Sequence, residues 1–218
     1  MNKQLNTALA ALFLATASMT AMATEVGGTY ITVGVADIST DTFDGLKVSG
    51  ITVDDSNKVP TFSVGYQIDK NMSFEAGVVG AIDMTATVSD SSSGTLNGKA
   101  YSADGSLTLT GETDTSYILG IKYATPVNDK FNLYGKAGMM FWDTKGVVSA
   151  AGTLTYGGTT YSGSTNATFY QNDGSDAYYG AGGSYKVDKV TSINVEYSKL
   201  KIDGEDADGL SIAIEFDI

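Results

Sequence analysis

The stretch Leu210-Ser211-Ile212-Ala213-Ile214-Glu215-Phe216-Asp217-Ile218 alternates large apolar residues with small or acidic ones to its last position. Successive side chains of an extended strand point to opposite faces, so Leu210, Ile212, Ile214, Phe216 and Ile218 share one face while Glu215 lies on the other. In a water-soluble sheet an apolar edge of this kind invites aggregation unless a charge, a proline or a covering element protects it. The pattern therefore predicts a closing strand with a partner on each edge and an apolar medium against one face.

The same period recurs along the chain. Thr29, Ile31, Val33 and Val35 alternate with Tyr30, Thr32 and Gly34, predicting a first strand over about Gly27 to Ile38. Phe62, Val64, Tyr66 and Ile68 continue through Asp69-Lys70-Asn71 into Phe74, Ala76, Val78 and Ile82, a tight hairpin with one outward set. Further strands follow around Tyr117 to Tyr123, Phe131 to Phe141, Ala177 to Tyr185 and Ile193 to Tyr197. Short connections at Asp69, Thr125 to Lys130 and Asp188-Lys189 alternate with long ones at Asp37 to Asn57, Thr85 to Asp114 and Asp143 to Ser175, and Asp203 to Asp208 reads as the last loop. Strands of about 9 to 11 residues suit a tilted bilayer crossing, and outer-membrane barrels pair short periplasmic turns with longer external loops.

If the apolar set faces lipid, each charge at membrane depth must have the opposite parity. Glu75, Lys122, Lys136, Lys186, Glu196 and Glu215 all do, which makes them an expected lumen charge network, read as a plug of salt bridges rather than an ion path. The outward aromatics fall into two groups: Phe62, Tyr117, Phe141, Tyr179 and Tyr197 near the outer ends, and Tyr66, Phe74, Tyr123, Phe131, Tyr185 and Phe216 near the periplasmic ends. Two aromatic girdles around an aliphatic belt are the signature of a bilayer-spanning sheet.

Composition narrows the remaining choices. Met1 to Ala23 has a Lys3 n-region, a short apolar stretch and an Ala21-Met22-Ala23 cleavage signal, so it is expected to be a leader cleaved after Ala23, leaving residues 24–218 as one barrel domain. The chain has no Cys and no His, and its net charge of -12 excludes a nucleic-acid footprint. A serine nucleophile would need a lysine or carboxylate to activate it, and no serine stands in such a motif, so no enzyme, cofactor or metal site is expected. The acidic run Asp203, Glu205, Asp206 and Asp208 matches no calcium-loop spacing. In the long segments, Asn97-Gly98 and Gly157-Gly158 suit two-residue type I′ turns, which predicts hairpins rising beyond the membrane as a Ser/Thr/Tyr-rich collar.

With its Tyr179-Gly180-Ala181-Gly182-Gly183-Ser184-Tyr185 and Ile193-Asn194-Val195-Glu196-Tyr197 strands, the chain resembles the small outer-membrane β-barrels similar to the OmpA transmembrane domain. The resemblance implies an all-β fold: an eight-stranded antiparallel up-and-down transmembrane barrel in the outer membrane of a Gram-negative cell. Members of this family often end in Phe, which the barrel-insertion machinery reads; here Ile218 is last and Phe216 stands two residues earlier. The implied partners are outer-membrane lipid and lipopolysaccharide, the insertion machinery through the closing strand, and a host or surface ligand at the loops, with the barrel as a monomer. The expected function is a structural or surface-interaction role of adhesion type; the alternative is a small pore or conduit for ions or hydrophobic molecules, resembling OmpW-type barrels.

Overall fold

The structure, a computed structural model, describes residues 26–218, so the expected leader and its cleavage after Ala23 lie outside the described residues. Eleven strands make one antiparallel sheet: β1 (Thr29–Thr40), β2 (Ile51–Asp54), β3 (Ser56–Gln67), β4 (Met72–Val79), β5 (Ile82–Leu96), β6 (Lys99–Thr113), β7 (Ser116–Pro126), β8 (Phe131–Tyr156), β9 (Thr159–Lys186), β10 (Thr191–Ile202) and β11 (Glu205–Asp217). A single 3₁₀ turn, Asp44–Leu46, precedes β2.

Eight of these strands close on themselves in the order β1-β3-β4-β7-β8-β9-β10-β11, because β8 pairs with β9 and β11 returns to β1. The closing strand is paired on both edges, to β10 from Ile202↔Glu205 to Thr191↔Phe216 and to β1 from Thr40↔Ala207 to Tyr30↔Asp217. Within the ring, closure gives each wall strand a partner on both edges, the condition for a sheet in hydrocarbon.

Burial alternates as the side-chain period requires. Tyr30, Ser63, Glu75, Lys122, Tyr134, Ser184 and Asn194 are buried within the barrel, while Val33, Val35, Ile121, Val195, Ile212 and Ile214 are exposed on its outside. Cross-strand register sets Phe62 opposite Val78, Val78 opposite Tyr117 and Tyr117 opposite Phe141, a continuous outer band. At the other end Tyr66 faces Phe74 and Phe131 faces Tyr185. Short turns close that end: Asp69 Oδ1 accepts from Asn71 and Met72 N–H, and Asp188 Oδ1 accepts from Val190 and Thr191 N–H.

Three local expectations are corrected. Ile82 does not continue the outward set of β4; β5 begins there after the Gly80-Ala81 break, and Ile82 is buried inside the mouth at 2% exposure. Asp203 to Asp208 is not a loop, because Asp203 and Gly204 take positive φ values of 54° and 85° in a two-residue turn and β11 starts at Glu205. The polar segment Asp37 to Asn57 contains β2, which pairs with β5 from Ile51↔Val88 to Asp54↔Thr85.

Facing is directly testable. Ile121→Lys or Val195→Lys, at mid-depth on the outside, is expected to lose about 2 to 4 kcal/mol of folding stability in lipid vesicles. Ser211→Lys, inside and opposite Glu196, should lose clearly less. Urea unfolding of the three variants in the same vesicles decides it; equal losses on both faces would contradict the assignment of the lipid face.

Candidate functional site: a charged lumen beneath an open collar

Lys122 of β7 and Lys136 of β8 are direct cross-strand partners on the inner face. Two like charges in that position repel, and the arrangement holds because carboxylates from three other strands reach between and around them. Glu75 of β4, 1% exposed, lies 3.9 Å from Lys122 Nζ through Oε1 and 2.9 Å from Lys136 Nζ through Oε2. Lys122 also meets Glu215 Oε2 of β11 at 2.6 Å, and Lys136 meets Glu196 Oε2 of β10 at 3.1 Å. The result is one chain across the barrel, Glu215, Lys122, Glu75, Lys136 and Glu196.

Tyrosines and an amide complete this layer. Tyr30 OH donates to Glu75 Oε1 at 2.7 Å, and Asn194 Nδ2 donates to Glu215 Oε2 at 2.9 Å. Lys122 Nζ lies 4.8 Å from the Tyr30 ring centre and 4.9 Å from that of Tyr134, and Lys136 lies 5.5 Å from Tyr134. These rings fit because the wall behind them has no side chain: a Cβ at Gly65 would sit 2.0 Å from the Tyr30 ring, and one at Gly182 would sit 2.6 Å from Tyr134.

Of the six lumen charges inferred from parity, the structure brings Glu75, Lys122, Lys136, Glu196 and Glu215 together. Lys186 is exposed and outside that chain, although it lines, together with Lys122 and Glu215, a vestibule of about 260 Å³ at the short-turn end. Leu210, Ile212, Ile214 and Phe216 point outward from β11. Parity alone did not single out Tyr30, Tyr134 and Tyr178, although their even numbers on strands with odd outward residues carry that signal.

An apolar layer lies above the ionic one. Ile38, Val59, Ile82, Met84, Met140, Trp142, Leu200 and Ile202 form one buried apolar cluster across the outer mouth. Trp142 Nε1 donates to Asp176 Oδ2 at 3.0 Å, so the indole is fixed at both its apolar and polar parts. Between the two layers is a cavity of about 80 Å³ touched by Thr32, Ser63, Tyr178 and Asn194. Above the cluster an apolar recess of about 240 Å³ opens among Phe43, Met84, Leu109 and Phe169.

Beyond the mouth, β8 and β9 run on together and β6, β5 and β2 join them, giving a collar in the order β2-β5-β6-β8-β9. Its hairpin tips are Asn97-Gly98, with φ of 52° and 75°, and Gly157-Gly158, with φ of 56° and 87°. Glu112 holds the Lys145 ammonium above the usual lysine range through an ion pair of 2.8 Å at the collar base. A bulge at Gly146/Val147 leaves Phe169 without a cross-strand partner, and the next residues fasten β9 to the β10–β11 turn. Tyr170 OH donates to Asp203, and Asn172 Nδ2 donates to Asp203 Oδ1 at 2.8 Å. Of the other acids of this stretch, Asp206 and Asp208 pair with Lys201 and Lys199.

Removing Glu75 tests the ionic layer. Glu75→Ala leaves Lys122 and Lys136 facing each other with lost compensation, and is expected to cost about 3 to 5 kcal/mol of stability. Lys186→Ala, at the solvent-open vestibule, should change stability by about 0 to 1 kcal/mol. Denaturant unfolding in detergent micelles separates the two.

The family model for an outer membrane protein beta-barrel domain matches residues 7–217. Among solved structures, the outer membrane protein OprG from Pseudomonas aeruginosa superposes with a TM-score of 0.53 at 14% identity, covering 90% of this chain and 98% of that one. Ail, the attachment invasion locus protein of Yersinia pestis, solved in complex with the heparin analogue sucrose octasulfate, gives a TM-score of 0.42 at 14% identity, covering 89% of this chain and 100% of that one. The N-terminal β-barrel domain of Pseudomonas aeruginosa OprF gives 0.41 at 10% identity, covering 88% and 99%. Comparison with curated sequences finds no significant match.

Proposed function

The chain belongs to the outer membrane protein β-barrel domain family, and from that premise we propose that it is a non-enzymatic surface-interaction protein whose barrel is an anchor and whose collar is the working part. The observation that carries this reading is the collar itself, a sheet of five strands that continues two wall strands into the external solvent. Its strands β2, β5 and β6 take no part in closure of the barrel, and loops and extensions on a rigid scaffold are where binding surfaces are placed. The two layers in the lumen support the same reading against a conduit. An ion would have to break the chain from Glu215 to Glu196, and an apolar molecule entering the outer recess meets a packed cluster below it.

In this reading the barrel is exported by its leader, inserted through its closing strand, and set as a monomer in outer-membrane lipid and lipopolysaccharide. The collar meets a host or surface ligand. The absence of His and Cys in the sequence supports a role without chemistry.

A shortened collar tests the proposal. Because Thr87 pairs with Thr108 and Val147 with Thr168, two-residue Asn-Gly turns can replace residues 88–107 and 148–167 while keeping both hairpins in register. Cells displaying this variant are expected to lose adhesion to epithelial cells and matrix-coated surfaces that full-length protein confers, with an equal amount of folded barrel. In planar bilayers neither form should give stable channels. Steady conductance by the full-length protein, with unchanged adhesion on shortening, would replace this reading by the conduit.

A further inference from the structure

The outer half of β9 has a sheet partner on one side only. From Tyr156↔Thr159 to the barrel it is paired to β8, whereas pairing to β10 is confined to the stretch from Lys199↔Tyr179 to Ser192↔Lys186. Residues 159–173 are all exposed. Asp203 fastens the side chains of Tyr170 and Asn172 near the base, which leaves Thr159 to Phe169 as a free strand edge among the described residues.

Free edges are ordinarily blunted by lysine, proline or an inward charge. This one has none: from Thr159 to Gln171 the sequence TTYSGSTNATFYQ contains no charged residue and no proline. The opposite margin of the collar carries Asp90 on β5 and Asp54 and Asp55 at β2, and its uncharged part, Ser91 to Leu96, is the shorter. The asymmetry is chemically meaningful in a chain of net charge -12, since two copies repel each other nearly everywhere except along a neutral surface. The edge is also self-complementary, because any antiparallel register of the stretch on itself brings Ser, Thr, Asn, Gly, Ala or an aromatic opposite the same set and never like charges opposite each other.

Direction decides which second copy can use it. Copies in one membrane hold β9 in the same direction, so lateral neighbours would have to pair in parallel. They would also collide, since the place beside β9 is occupied by β10 from Tyr179 downward. A copy on a facing membrane presents β9 reversed, so that pairing is antiparallel like the rest of the sheet. Its own barrel then lies beyond the Gly157-Gly158 tip, because its Tyr179 falls about ten strand positions past Thr159 when Ser164 is on the axis. With Ser164 at the two-fold axis, Thr160 faces Thr168 and Ser162 faces Asn166. The rise of a strand places that axis at most about 50 Å above Tyr179.

We propose that the free edge of β9, from Thr159 to Phe169, pairs antiparallel with the same edge of a second copy on a facing membrane, and so joins cell to cell. This rests on the collar being an interaction surface and names its partner as the protein itself. Main-chain hydrogen bonds supply the attraction, as in strand addition generally, and the uncharged hydroxyl-rich sides permit the approach.

The test uses vesicles of neutral phospholipid carrying the full-length protein with the collar facing out, and follows their clustering by light scattering. Wild-type vesicles are expected to cluster. Ser164→Lys and Ser164→Asp vesicles should each cluster at least tenfold less, because identical charges meet at the axis, while a mixture of the two should recover clustering. Failure of the mixture to recover, with both variants folded as judged by a protease-resistant barrel, would overturn self-pairing. Since the chain has no cysteine, single cysteines from Ser162 to Asn166 then report the register: cross-linking confined to one central position supports facing copies. Cross-linking at every position would mean lateral parallel pairs and overturn the proposal. Retained adhesion to epithelial cells by Ser164→Lys, alongside intact self-clustering, would likewise overturn self-pairing as the role of this edge while leaving the collar's interaction role standing; loss of adhesion on collar shortening alone tests that role separately.

Discussion

Everything in this molecule follows from the requirement that no backbone N–H or C=O face hydrocarbon without a partner. An open sheet of the same strands would expose two edges, each unsatisfied group costing several kcal/mol in lipid. Pairing of β11 with both β10 and β1, together with that of β8 with β9, removes both edges at once. Closure then dictates composition. With lipid outside and a narrow interior, residues of one parity become Val, Ile, Leu and aromatic, and those of the other become Gly, Ser, Tyr and the paired charges.

The interior is a packing problem solved with unusual materials. Eight strands leave space that side chains nearly fill, and the filling here is tyrosine laid on glycine around an ionic chain. The buried charges are not an efficient source of stability, because desolvation offsets much of their attraction. What they supply is mutual dependence: Glu75 compensates both lysines and accepts from Tyr30, so strands β1, β4, β7 and β8 are tied through one carboxylate. The apolar cluster at the mouth adds the contribution that the ionic layer lacks, since Ile38, Val59, Ile82, Met140 and Trp142 leave water without the penalty of a charge.

The wall was legible in the sequence because a period of two is tested independently at every strand. Val33, Ile121, Val195 and Ile212 all have the expected facing, and an error of one residue in β4, β7, β8, β9, β10 or β11 would have turned a charge toward lipid. The collar was legible in its turns, since Asn97-Gly98 and Gly157-Gly158 have few other uses between alternating strands. Less could be read where the medium changes. At the mouth, Ile82, Met84 and Ile202 are apolar but point inward, because above the lipid the inside of the sheet becomes the drier side. Parity rules calibrated on lipid do not anticipate that reversal. Asp203-Gly204 was obscured by its acidic neighbours, which read as a loop although Glu205, Asp206 and Asp208 belong to β11 and the last two pair with lysines of β10.

The change of medium also explains why the collar can exist. Once β8 and β9 leave the lipid, water satisfies an open backbone edge at little cost, so closure is no longer required and the sheet is free to spread through β6, β5 and β2 instead of returning on itself. Freedom from closure brings back the hazard that barrels escape, the exposed edge. On the β2 and β5 side the chain answers it with aspartates. On the β9 side it supplies only one bulge, at Phe169, and a pair of side-chain bonds to Asp203 that stop short of the outer strand. The β9 margin is neutral over its whole outer length, whereas the β5 edge has Asp90 before its shorter neutral run from Ser91 to Leu96: in a chain otherwise strongly acidic, β9 offers the longest edge that another strand can approach without an electrostatic penalty.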